Sequence, residues 1–78
     1  MLKQLVEYIV KQLVDKPELV AVNERHEDSK LILDIRVAAH DLKRVIGKEG
    51  RVVRAIRTMV SCIDSREHVE INLDSTAQ

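Results

Sequence analysis

The chain predicts an α+β two-layer domain in the order αββααβ, a three-stranded sheet with one face covered by three helices. Three observations carry that prediction. Apolar residues recur at helical spacing near the start and again in the second half; they alternate with polar residues in three other segments; and glycine or proline stands at key joints. With 78 residues, 26 of them Val, Ile or Leu, there is room for one aliphatic core. The expectation is a single domain over 1–78, with a core of about 2–73 and a flexible tail over 74–78.

Leu2, Leu5, Val6, Ile9, Val10, Leu13 and Val14 follow the i, i+3, i+4, i+7 pattern of a helix face, and Asp15-Lys16-Pro17 ends that helix. Leu19 to His26 reads as a strand. Leu31, Leu33, Ile35 and Val37 form the buried side of a second, with Ile32, Asp34 and Arg36 facing the other way and the open face expected to be wet. The short polar Glu27-Asp28-Ser29 between them predicts an antiparallel hairpin, without setting its turn type. Leu42, Val45 and Ile46 place a short helix over about 39–46, with Asp41 supplying a carboxylate to its N-terminus. After Gly50 a longer helix carries Val52, Val53, Ile56, Met59, Val60 and Ile63 as an apolar stripe and Arg51, Arg54 and Arg57 on its outer side. Val69, Ile71 and Leu73 alternate with Glu70 and Asn72 in a last strand.

Thirteen basic and thirteen acidic residues cancel, so a strong overall field toward polyanions is excluded. The distribution is uneven. From His40 to Arg57 there are six basic residues against Asp41 and Glu49, an excess of four positive charges in one segment. No apolar run is long enough to span a membrane, and the lone Cys62 excludes an internal disulfide and reads as a partly buried small hydrophobe. His26, His40 and His68 fall in different elements without a second ligand at metal spacing, and no Ser, Cys or Lys has an evident base partner. Neither a metal site, a cofactor, a small-molecule substrate nor an enzyme is expected. The expected compartment is the cytoplasm.

Both glycines of the chain lie in Gly47-Lys48-Glu49-Gly50, between the second and third helices. Glycine permits positive φ and close approach of another backbone, so a G-x-x-G turn can lay its amides against a phosphodiester. The turn also opens a helix whose first N–H groups sit at the positive end of its dipole, and Lys48 adds a mobile charge. A plain helix C-cap at Gly47 is the structural alternative.

Val45-Ile46-Gly47-Lys48-Glu49-Gly50-Arg51, followed by Val53 and Ile56-Arg57, resembles the signature of the KH domain, a single-stranded nucleic-acid-binding module. The element order resembles its type II arrangement, and the short chain is similar to the small bacterial KhpA (YlqC-like) family over Leu2 to Leu73. That resemblance implies a mixed sheet and a groove for about four nucleotides. It implies that Gly47, Lys48, Glu49 and Gly50 clamp the backbone, that Lys43, Arg44, Arg51 and Arg54 flank them, and that Val45 and Ile46 form an aliphatic floor. It further implies a cytoplasmic RNA chaperone or post-transcriptional regulator that binds single-stranded RNA. Its partners would be a second copy, a KhpB (Jag-like) KH protein, or both. Glu49 departs from a wholly cationic loop. Tyr8 is the only aromatic residue, which argues against the stacking platforms of RRM and OB-fold modules. Arg36 and Arg66 are weaker candidates for RNA contact. Two rivals remain: a helix-turn-helix DNA-binding domain reading with Arg51, Arg54 and Arg57, and a dimerisation adaptor with an idle loop.

Overall fold

The computed structural model describes residues 2–63 and 68–76. Helix α1 spans Leu2–Leu13, burying Val6 and Val10, with Leu2 and Ile9 packed beside them. Proline's fixed φ suits the first position of a tight turn. Pro17 accordingly opens a one-turn 3-10 helix over Pro17–Leu19, held by Leu19 N donating to Lys16 O at 3.0 Å. This turn takes Leu19 out of the expected strand, and β1 begins later, as Ala21–Glu27.

Strands β1 and β2 (Lys30–Val37) form the expected antiparallel hairpin, from Ala21 opposite Arg36 to Glu27 opposite Lys30. Its turn is the pair Asp28-Ser29, with φ of 46° and 66°. Two consecutive positive φ values give the type I′ shape, whose twist matches that of the strands. Neither residue is glycine, which is why the turn type was not legible.

A one-turn 3-10 helix over Ala39–Asp41 leads into α2 (Leu42–Ile46), so the second helix of the prediction is a composite. Helix α3 runs over Arg51–Ile63. Strand β3 (His68–Ser75) lies parallel to β2, giving the mixed order β1-β2-β3 with β2 in the centre. β3 also extends two residues into the segment expected to fray, and Thr76 N donates to Val37 O at 2.9 Å.

The core lies between one sheet face and the helices: Val6, Val10, Leu31, Leu33, Ile35, Val37, Val45, Ile56, Val60 and Val69 are buried together. On the open face Arg25 Nε donates to Asp34 Oδ2 at 2.8 Å and Asn72 Nδ2 to Asp34 Oδ1 at 3.1 Å, tying all three strands. The Arg25 hydrogen bond first, then that from Asn72, holds the Asp34 carboxyl below the usual carboxylate range against opposing desolvation. Ile32 departs from the wet-face expectation. It is only 5% exposed, set in register between Arg25 and Glu70, whose long side chains can cover apolar surface with their stems.

Three residues of α3 were expected to face inward and do not. Met59 and Ile63 are 44% and 59% exposed, because the apolar stripe is wider than the surface available to cover it. Cys62 is exposed, two residues and about 200° of helical rotation from buried Val60. No helix among the described residues is long and apolar enough to cross a membrane.

Candidate nucleic-acid interface

Helix α2 ends where Gly47 N donates to Lys43 O at 2.8 Å, and the chain then reverses. Gly47 has φ 78° and ψ 171°, a combination essentially confined to glycine. Lys48–Gly50 form a single 3-10 turn closed by Gly50 N donating to Gly47 O at 3.1 Å. Within it Glu49 takes a left-handed conformation, φ 58° and ψ 24°, and Gly50 follows at φ 76°.

The two glycines meet different surroundings. A Cβ on Gly47 would strike the Val52 side chain and lie 2.8 Å from the Val52 backbone nitrogen, whereas a Cβ on Gly50 would meet nothing within 4 Å. Gly47 is therefore required by packing against α3, and Gly50 leaves an open approach to the turn. Lys43, Ile46, Gly47 and Lys48 line a hollow of about 300 Å³ beside it.

Of the ten residues singled out from the sequence, Lys43, Ile46, Gly47, Lys48, Glu49, Gly50, Arg51 and Arg54 are gathered around this turn. Arg51 Nη2 donates to Glu49 Oε1 at 3.2 Å, and Arg54 Nη2 donates to the Glu49 carbonyl at 2.8 Å. Arg44 instead reaches Asp15, after α1, at 2.8 Å. Val45 is fully buried in the core and anchors α2 from beneath. The Lys43 and Lys48 side chains make no hydrogen bond or ion pair among the described residues, which leaves two uncommitted ammonium groups at the hollow's rim. Arg36 lies on the open sheet face, 3.8 Å from Asp74, and Arg66 is outside the described residues.

Asp41 was missed as a positioning residue. It makes no side-chain cap to α2; its fully buried carboxylate instead accepts from Asp15 N at 3.0 Å and Lys16 N at 3.1 Å. Burial pushes this carboxyl up, but the two amides, with His40 and Arg44, outweigh it and hold it below the usual carboxylate range. Contacts separated by 25 and 26 residues leave no local sequence signal. His40 Nε2 lies 3.4 Å from Asp41 Oδ1 and 3.9 Å from Asp15 Oδ2. Arg44 on Asp15 and the two amides on Asp41 already occupy these carboxylates, and together the contacts fasten the start of α2 to the end of α1.

Residues 3–74 match the family described as KhpA/KhpB, KH domain. The chain is 42% identical over 73 residues to the RNA-binding protein KhpA of Chlamydia trachomatis, covering 94% of both chains. It is 46% identical over 70 residues to that of Clostridium perfringens, covering 90% of this chain and 93% of the relative. It is 40% identical over 73 residues to that of Listeria monocytogenes, covering 94% and 96%. No solved structure matches the chain. These relatives are RNA-binding proteins and not enzymes, and the chain belongs to the KhpA/KhpB KH-domain family.

Proposed function

We propose that this protein binds short single-stranded RNA in the cytoplasm through Gly47–Gly50 and the first turn of α3. The observation that carries the reading is the turn itself. Two positive-φ glycines frame a lysine whose side chain has no partner among the described residues, at the N-terminus of a thirteen-residue helix and beside an Ile46-floored hollow. Backbone amides and Lys48 meet the phosphates, and bases rest on aliphatic surface, which suits a chain with one aromatic residue. The name RNA-binding protein KhpA, carried by its relatives, supports the same ligand.

Two or three neutralised phosphates give a salt slope of about −1.4 to −2 on a log–log plot. A footprint of about four nucleotides yields modest affinity, so selective action as an RNA chaperone or regulator requires linked sites. Pairing with a second copy or with a KhpB-type chain supplies them. Met59 and Ile63 on α3 support that pairing, because both are exposed three residues on from the buried Ile56 and Val60, and Leu5 and Tyr8 add exposed apolar surface on α1.

The test is fluorescence anisotropy of a short single-stranded RNA, its DNA counterpart and a duplex, with wild type and Lys48→Asp/Glu49→Asp. The expected result is single-stranded RNA binding that the double variant loses. Equal binding by both proteins overturns the clamp, and preference for duplex DNA favours the helix-turn-helix reading.

A further inference from the structure

The arginines that follow the loop are engaged in different ways. Arg54 donates to a backbone carbonyl, a neutral acceptor within the left-handed turn. Arg51 donates to the Glu49 carboxylate, and these two side chains are 71% and 67% exposed. Glu49 is thus bonded twice to the start of α3, by its main chain to one arginine and by its side chain to the other. Its left-handed φ, uncommon for a residue of this type, sets the chain so that its carbonyl meets Arg54 and its carboxylate meets Arg51. A carboxylate oxygen accepting from a guanidinium has the charge and the acceptor geometry that a phosphodiester oxygen would present there.

We propose that the Glu49 side chain is a built-in phosphate surrogate, holding Arg51 while the loop is empty and yielding it when an RNA phosphate arrives. The inference rests on the RNA-binding reading of the loop. An exposed ion pair in water contributes little, so the exchange is cheap and Glu49 tunes affinity without abolishing it. The pair at the same time masks one cation against other anions, so a lone phosphate meets the uncommitted ammonium groups of Lys48 and Lys43 and not Arg51. A strand that binds through Lys48 delivers its next phosphate beside Arg51 at high effective concentration. Arg54 is tied to a carbonyl that no phosphate replaces. It stays with the turn as a positioning residue.

The experiment titrates one short single-stranded RNA, over a series of salt concentrations, with the full chain as wild type, Glu49→Gln, Arg51→Gln and the double variant. Circular dichroism accompanies each protein. Removing the surrogate charge is expected to tighten binding about two- to fivefold. The log–log salt slope is expected to stay near the wild-type value, because Arg51 reaches the same phosphate in both bound states, whereas Arg51→Gln should make it shallower by about 0.7, the equivalent of one phosphate on a single strand. The gain in affinity should disappear when Arg51 is already Gln. Identical affinity for wild type and Glu49→Gln overturns the inference while leaving RNA binding intact. A gain of the same size with and without Arg51 also overturns it, since Glu49 would then act only through overall charge. Absence of binding by all four proteins overturns the RNA-binding reading itself, and the inference with it.

Discussion

Gly47 and Gly50 share a positive φ but answer to different neighbours, and alanine separates them. At 47 the methyl group meets Val52 backbone in a conformation confined to glycine, a cost on the order of 3 kcal/mol or more. At 50 the methyl has free space, so Gly50→Ala costs about 1 kcal/mol through backbone conformation alone. Urea denaturation should show the larger loss of midpoint for Gly47→Ala. RNA titration should show Gly50→Ala to be folded yet weakened, because its methyl occupies the approach to the turn; equal stability losses would contradict this division. The motif was legible in the sequence because both glycines of the chain fall within one tetrapeptide. The separate duties of Arg51 and Arg54 were not, since they depend on the left-handed turn at Glu49, a residue type that seldom adopts one.

At the scale of elements, five-residue α2 is too short to stand alone, and it is fixed at both ends by distant chain. Val45 seats it on the sheet, and Asp41 binds the two amides that follow α1. Asp41→Asn puts an amide donor opposite one of two backbone donors, so the variant should melt several degrees lower at neutral pH. The pH dependence has a defined sign. The folded-state pKa is depressed, so this stabilisation is present above the ordinary carboxylate value near 3.9 and is lost as pH falls through the lower, folded value. Thermal melts should therefore show wild type and variant converging below about pH 4; a constant gap down to strong acid would refute the assignment. Helices α1 and α3 were legible because a wide apolar stripe repeats at 3.6 residues over several turns. The onset of β1 was misplaced because Leu19 is apolar and lies next to a strand while belonging to proline's turn. Strand order was beyond reach, since alternation reports which face is buried and not which neighbour is paired.

For the molecule as a whole, zero net charge means that like-charge repulsion does not keep copies apart. Four large apolar residues are exposed on α1 and α3, and none of them lines the hollow beside the Gly47–Gly50 turn, so pairing and RNA binding make separate demands on the surface. Sedimentation equilibrium should show a concentration-dependent dimer, and Met59→Asp should shift it to monomer while the melting transition is kept. A wild type that stays monomeric at high concentration would remove self-pairing and leave a KhpB-type chain as the partner. The central strand has one neighbour made just before it and another made thirty residues later, from His68 onward. During synthesis the hairpin can close early, while the far edge of β2 remains bare until residues 68–75 have left the ribosome. A nascent chain halted in α3 would therefore display its complete GXXG tetrapeptide on an unfinished sheet, so the last strand to be made decides when the protein becomes competent.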